Sequence, residues 1–143
     1  MKKHLVFVYG TLRPPYGNYQ NYLNNEGAKH LGSATTKSEL RMFASGIPYV
    51  SEGKFLTEEE KQIFKPVNIK GDLFEVDDKT LMNLDRLEGH PNFYKRTPLV
   101  VMMDNQEINA EIYMHEVSRP ERLSYLDDGS YHTYKGLTEK QGQ

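Results

Sequence analysis

The acidic side chain of Glu88 lies at a helical position where the neighbouring side chains are apolar. The periodicity of residues 78–88 predicts a helix that ends at Gly89, and an α-helix turns by about 100° per residue. With Leu81 at zero, Leu84 falls near 300° and Glu88 near 340° on the helical wheel. The carboxyl therefore lies inside the apolar arc, and we expect it to face the body of the protein.

Two effects would then raise the pKa of Glu88. Burial disfavours the charged form of a carboxyl, and the C-terminal end of a helix carries partial negative charge. A carboxyl tuned toward neutral pH can accept a proton and return it, which is the requirement for general acid–base catalysis. The wheel alone leaves one alternative open: Glu88 is the last helical residue and turns into water.

A second candidate site is the turn at Tyr9-Gly10-Thr11-Leu12, which directly follows the short apolar run Leu5–Val8. Glycine allows a tight turn and a close approach by a ligand, so that main-chain N–H groups can point at an anion or a carbonyl oxygen. A glycine at the end of a strand also commonly does no more than reverse the chain. The motif by itself leaves both interpretations open.

These two sites belong to a longer series of segments. In chain order the segments are Val8–Arg13, Gly71–Val76, Leu84–Gly89, Tyr94–Arg96 and Asp128–Tyr134. Over residues 4–135 this series resembles the γ-glutamylcyclotransferase-like superfamily, with the AIG2-like and γ-glutamylamine cyclotransferase branch as the most similar part. The chain departs from the family pattern at Ser130, where an acid is common.

The resemblance implies roles for particular residues. Glu88 matches the general acid/base of the family, and Tyr9, Gly10, Thr11 and Leu12 match the turn that holds the γ-glutamyl group of the substrate. The resemblance implies two further substrate-binding residues, Tyr94 and Tyr134, although either ring could instead pack against the sheet.

In the reaction of this family, the α-amine of the substrate attacks its own γ-carbonyl to give 5-oxoproline and a free amine. No protein nucleophile, metal or other cofactor is expected. An ordinary Glu and an α-ammonium differ by about 3.5 pKa units, or roughly 5 kcal/mol, and raising the Glu pKa by one to two units would recover about 1.4–2.7 kcal/mol.

The elements around these sites are mainly strands, with a few short helices between them. Strands are predicted at Leu5–Val8, Ile69–Val76, Tyr94–Met103 and Glu107–Met114, with one or two more strands within residues 31–43. Helices are predicted at residues 18–25, 57–64 and 78–88. In the last strand residues 108, 110, 112 and 114 are expected to be buried, with Tyr113 and residues 107, 109 and 111 on the wet face. We therefore expect an α+β protein with a mostly antiparallel, barrel-like sheet and flanking helices. It would form one domain over residues 1–136, with residues 137–143 as a frayed tail.

The composition excludes several functional classes. The chain has 143 residues, 37% of them hydrophobic, and a net charge of −2, without the basic surface that a general nucleic-acid partner would require. It contains no cysteine, no apolar stretch of membrane-spanning length and no N-terminal apolar run long enough for a signal peptide, so we expect a cytoplasmic protein. The five histidines have no metal-ligand spacing and are expected on the surface or in the sheet.

Two other functions stay open at this point. The same scaffold could hydrolyse a γ-glutamyl amide or transfer its acyl group, as in the removal of a γ-glutamyl protecting group, or it could be a non-catalytic module that binds a small molecule. The sequence lacks a GxSxG motif, which disfavours a serine hydrolase. The leaving amine and the oligomeric state are not specified, and aromatic residues at 43–55 and 125–134 are candidates for binding the amine.

Overall fold

A computed structural model of the chain describes residues 2–139. Its strands are β1 (Lys3–Val8), β2 (Ala28–Ser45), β3 (Ile47–Ser51), β4 (Val67–Asp77), β5 (Lys95–Met103), β6 (Gln106–Met114) and β7 (Ser124–Tyr125). Its helices are a π-helix (Tyr19–Leu23), α1 (Glu58–Ile63), α2 (Asp78–Glu88), a 3-10 turn (Pro120–Arg122) and α3 (Tyr131–Tyr134). None of the described helices is long and apolar enough to cross a membrane.

Five strands close into a barrel in the order β2-β4-β1-β6-β5. The ring closes where Thr35 and Thr36 of β2 pair with Met102 and Val101 of β5. β1 and β6 run parallel, and the other described strand pairs are antiparallel. β3 and β7 pair with the far end of β2, outside the ring. The prediction of an α+β fold with a mostly antiparallel, barrel-like sheet is confirmed.

β2 is a single strand of 18 residues, where the sequence predicts one or two strands. Its pairing register with β4 shifts between His30 and Gly32, and again between Thr35 and Glu39. Such irregularities bend a strand and increase its twist. The bent strand pairs with β4 between residues 28 and 40, with β5 at residues 35 and 36, and with β3 and β7 between residues 41 and 45.

The barrel wall separates two apolar clusters, and alternation along β1 assigns its side chains to one or the other. Phe7 belongs to the cluster inside the barrel, whereas Val6 and Val8 belong to the cluster outside it. Leu81 and Leu84 of α2 pack into the outer cluster. Burial on both faces explains why β1 is a continuous apolar run. The packing of Leu81 and Leu84 also fixes α2 against the end of β1 that leads into the glycine turn.

The placement of Tyr113 on the wet face of β6 is wrong. Its side chain is only 4% exposed and packs in the outer cluster with Leu81 and Leu84. The reason is that α2 covers this end of β6, so both faces of the strand are buried there. Local alternation cannot reveal a helix that packs on the outer face of a strand.

Buried polar contacts hold the C-terminal segment on the barrel. His132 is fully buried, with Nδ1 2.8 Å from the hydroxyl of Tyr16, so the prediction of a surface or sheet histidine is wrong at this position. Glu139 accepts hydrogen bonds from Arg13 and Ser130. The N–H group of Leu137 donates a hydrogen bond of 2.8 Å to the carbonyl oxygen of His132. The segment predicted as a frayed tail is therefore tied to the body of the protein at Leu137 and Glu139, and residues 140–143 lie outside the described residues.

Candidate active site

Helix α2 places Glu88 at its last residue, facing the sheet. The Asp77 carboxylate caps the start of the helix, and Gly89 ends it in the left-handed region with φ of 68°. Leu81 and Leu84 are buried beneath the helix and fix its rotation. The predicted orientation of Glu88 toward the protein is confirmed, and the alternative in which it turns into water is not.

The glycine turn is closed by a main-chain hydrogen bond of 3.0 Å from Arg13 to the carbonyl oxygen of Gly10. A Cβ atom at Gly10 would lie 2.6 Å from Cγ of Pro48 in β3, so glycine is required for this close packing. Within residues 2–139, no hydrogen bond outside the sheet ladders uses the N–H groups of Gly10, Thr11 or Leu12. These three donors are therefore available to a ligand.

Glu88 and the turn face the same cavity, which has a volume of about 300 Å³. Besides Glu88 and the four turn residues, it is lined by Phe7, Val8, Asn18, Ile47, Pro48, Leu87, Gly89, Phe93, Tyr94 and Tyr113. A mostly apolar cavity with a few convergent polar groups, at this size, is typical of a small-molecule site. Packing of α2 against β1 thus brings the two candidate sites of the sequence into one pocket.

Burial raises the pKa of Glu88 to about 7. Among the described residues, its carboxylate has no hydrogen-bond or ion-pair partner. Burial is also the main cause that raises the pKa of Tyr9, Tyr94 and Tyr113, and the negative charge of Glu88 contributes in each case. The pocket therefore contains one carboxyl that can change its charge near neutral pH, surrounded by phenols that keep their protons.

The three phenols are held by hydrogen bonds to atoms behind the pocket. Tyr9 donates to the carbonyl oxygen of Tyr113 at 2.5 Å, Tyr94 to the carbonyl oxygen of Pro48 at 2.6 Å, and Tyr113 to the Asp85 carboxylate at 2.7 Å. Each hydroxyl hydrogen is thus engaged. The Tyr9 oxygen also has the backbone of Val50 as a hydrogen-bond partner, so the oxygens of Tyr94 and Tyr113 are the ones left to accept from a ligand. Such an arrangement suits the binding of an ammonium group.

The sequence matches a model of the family described as "Gamma-glutamyl cyclotransferase, AIG2-like" over residues 6–133. The chain belongs to this family. It is 37% identical over 133 residues to the "Putative gamma-glutamylcyclotransferase" of Methanocaldococcus jannaschii, a match that covers 92% of this chain and 98% of the relative. It is 30% identical over 129 residues to the gamma-glutamylaminecyclotransferase of Bos taurus, covering 86% and 73% of the two chains. The fold is similar to the crystal structure of a mouse AIG2-like protein, with a TM-score of 0.73 at 22% identity over 96% and 95% of the chains.

In this member of the AIG2-like family, the predicted positions Tyr9–Leu12, Glu88 and Tyr94 meet in the cavity, but Tyr134 does not line it. The Tyr134 ring stacks on Tyr131 with centroids 5.7 Å apart, and its hydroxyl accepts a hydrogen bond of 3.1 Å from the Gly46 N–H. The substrate-binding role predicted for Tyr134 is therefore not supported by its position. Helix α3 directs this side chain to the β2–β3 connection instead.

Several residues that line the cavity were not predicted from the sequence. Asn18 donates a hydrogen bond of 2.8 Å to the Thr11 hydroxyl, which leaves that hydroxyl free to donate to a ligand. Phe93 was a detectable candidate, since it directly precedes Tyr94. No local signal marked Ile47 or Pro48 in particular, because β3 reaches the pocket only through its pairing with β2. Within residues 2–139, no three His, Asp, Glu or Cys side chains lie close enough together to bind a metal ion.

Proposed function

We propose that this protein cyclises a γ-glutamyl amide to 5-oxoproline and releases the free amine, with Glu88 as the general acid and base. The observation that carries the proposal is that the Glu88 carboxyl, with a pKa of about 7, faces the same cavity as the Tyr9–Leu12 turn. Membership of the family, and the γ-glutamylamine cyclotransferase among its relatives, support this class of reaction.

The proposed reaction needs no protein nucleophile. Glu88 takes a proton from the α-ammonium, and the free amine attacks the γ-carbonyl carbon to form a five-membered ring. Glu88 then gives this proton to the leaving nitrogen as the bond between the γ-carbon and that nitrogen breaks. The ring nitrogen loses its second proton to the carboxylate, which passes it to the departing amine or to solvent. Both reacting groups belong to one molecule, so folding the substrate into the cavity supplies their proximity.

The pKa of Glu88 makes this proton transfer nearly balanced. An α-ammonium has a pKa near 8, and transfer to an ordinary glutamate with a pKa near 4.3 would be uphill by roughly 5 kcal/mol. With Glu88 at about 7, the gap falls to about one pKa unit, or about 1.4 kcal/mol. Burial alone therefore removes most of the thermodynamic barrier to the first step.

The turn would stabilise the negative charges of the reaction. The N–H groups of Gly10, Thr11 and Leu12 are free of other partners outside the ladders, and such donors stabilise an oxyanion or bind a carboxylate. Tyr94 lines the same cavity, and its phenol oxygen would accept a hydrogen bond from the α-ammonium. The substrate would thus be held at both ends of its amino-acid portion, which favours the folded conformation that ring closure requires.

The first test is the identity of the products. When purified protein is incubated with a panel of γ-glutamyl amines and γ-glutamyl amino acids in H₂¹⁸O, we expect equal amounts of unlabelled 5-oxoproline and free amine, measured by mass spectrometry against an enzyme-free control. Glutamate carrying ¹⁸O would instead show hydrolysis. A rise in melting temperature with these compounds, without any product, would identify a binding module and contradict the proposal.

The second test is the pH dependence of kcat/KM. Glu88 must be ionised to accept the first proton, so activity is expected to fall about tenfold per pH unit below a pH of about 7. An unburied glutamate would keep activity down to about pH 4.3. Initial rates between pH 5 and 9 measure the acid limb, and recovery of activity after return to pH 8 excludes irreversible acid denaturation. An acid limb near pH 4 would contradict the role of a buried carboxyl as the base.

A further inference from the structure

The residues that line the cavity differ sharply in exposure, and this divides the cavity into a floor and a rim. Phe7 and Tyr9, beside the glycine turn, are 0% and 5% exposed, whereas Ile47 and Phe93 are 42% and 47% exposed. The γ-glutamyl portion, held by the turn, would occupy the floor. The group attached to the leaving nitrogen must then extend along the rim toward solvent.

The rim is apolar and rigid. Its side chains are Ile47 from β3, Leu87 from α2 and Phe93 from the connection between α2 and β5. The Phe93 ring stacks on His115 with centroids 4.5 Å apart and meets Tyr94 edge to face at 5.0 Å. Because these contacts fix the ring, the rim offers a preformed aromatic surface, and an apolar substituent can bind without ordering it first.

The charge of the cavity is equally restrictive. No Lys or Arg lines it among the described residues, and Glu88 is its single carboxyl group. A carboxylate on the leaving amine would therefore have no cation to pair with, and it would be placed in the same cavity as the Glu88 charge. Juxtaposed like charges are unfavourable, so the cavity repels a carboxylate and offers it no compensating partner.

We propose that the amine released by this enzyme carries an apolar substituent, aromatic or branched aliphatic, and no carboxylate, and that Ile47 and Phe93 determine this specificity. The inference rests on the proposed cyclisation and defines the class of its substrates. γ-Glutamyl derivatives of arylalkylamines fit the rim, and γ-glutamyl dipeptides with a free α-carboxylate do not.

Two matched pairs of substrates test the inference. γ-Glutamyl-2-phenylethylamine and γ-glutamylphenylalanine differ only by a carboxylate, as do γ-glutamylethylamine and γ-glutamylalanine. In each pair we expect the carboxylate to lower kcat/KM at pH 8 by at least about tenfold. Between the two amines, the phenyl group is expected to raise kcat/KM by about tenfold or more.

Variants of the rim assign these effects to residues. Phe93→Ala should lower kcat/KM for the phenylethylamine compound about tenfold more than for the ethylamine compound. Ile47→Arg supplies the missing cation, and it should reduce the penalty of the carboxylate in both pairs. Phe55→Ala is the matched control. Phe55 belongs to the aromatic residues at 43–55 that the sequence suggested for binding the amine, but it is 65% exposed and does not line the cavity, so the variant should leave all four values unchanged.

The possible results distinguish the inferred specificity from the proposed cyclisation on which it rests. Equal or faster turnover of γ-glutamylphenylalanine than of γ-glutamyl-2-phenylethylamine would overturn the specificity while leaving the cyclisation intact. A loss of the phenyl preference in Phe55→Ala would overturn the role of the rim. No release of 5-oxoproline from any of the four compounds would overturn the proposed function, and the specificity with it.

Discussion

Glu88→Gln is expected to lower kcat at least about 10³-fold, within the range that general acid–base groups contribute, and at the same time to make the protein more stable at pH 8. Glutamine keeps the shape of the side chain but can neither accept nor return the proton. The gain in stability follows from the pKa of Glu88, which burial raises to about 7 in the folded protein but which stays near 4.3 in the unfolded chain. Between these values the folded state binds more protons, so the free energy of unfolding falls as the pH rises from about 4.3 to about 7.

The free energy of unfolding of Glu88→Gln does not fall in this way, because the glutamine side chain stays uncharged. Above pH 7 its free energy of unfolding should exceed that of the wild type by up to about 3 kcal/mol, and below about pH 4 the two should converge. Urea denaturation at pH 8 and pH 4 measures the difference. Glu59→Gln on exposed α1 is the matched control, and it should change neither turnover nor stability.

A Glu88→Gln enzyme with wild-type kcat would contradict the mechanism. A loss of activity together with a loss of stability at pH 8 would show instead that the carboxyl has a structural role. Measuring activity and stability together is informative because an inactive variant is often also a destabilised one. Here the loss of activity is expected together with a gain in stability, since the variant no longer buries a charged side chain.

The parts of the site that the sequence predicted are those encoded by local signals. The position of Glu88 follows from a capped helix and its periodicity within residues 77–89, and the glycine turn follows directly from the end of an apolar run. The hairpin between β5 and β6 is similarly local, since Asp104 and Asn105 both take positive φ values, 52° and 64°, as a tight turn requires. Each of these features depends on neighbours in the chain.

The parts that the sequence did not predict depend on contacts between distant residues. Tyr9 donates to the carbonyl of a residue 104 positions away, and the burial of Tyr113 requires α2 to pack over β6. Closure of the barrel depends on a short stretch of pairing between β2 and β5. The same applies to Tyr134, whose family motif was recognised but whose hydroxyl is directed by tertiary packing to Gly46. A motif identifies which residues are present, and only the packing decides which of them face the cavity.

Arg13→Met is expected to lower the free energy of unfolding by about 3–5 kcal/mol, the usual effect of removing one partner of a buried ion pair. Arg13 directly follows the glycine turn and is fully buried. Its Nε donates to Asp72 at 2.6 Å and its Nη2 to Glu139 at 2.7 Å. Methionine would fill the space of the side chain but leave the Asp72 carboxylate, only 1% exposed, without the guanidinium and with only the 2.8 Å contact to Nε2 of His30. Urea denaturation at pH 7 measures the loss, and a change in the slope m would reveal a less compact native state.

Two further variants test whether the Asp72 charge, left without Arg13, causes the loss of stability. Arg119→Met removes an exposed arginine that lies 3.9 Å from Glu121, and it should have little effect. Adding Asp72→Asn to Arg13→Met removes the buried charge and should recover part of the lost stability.

Burial alone would raise the pKa of Glu139, but the hydrogen bonds from Arg13 and Ser130 lower it. The stabilisation from Glu139 is therefore present above about pH 4.3 and lost as the pH falls through its lower folded value, so wild type and Arg13→Met should approach each other in acid. A loss below about 1 kcal/mol at pH 7 would contradict the prediction that the buried Arg13 network stabilises the fold.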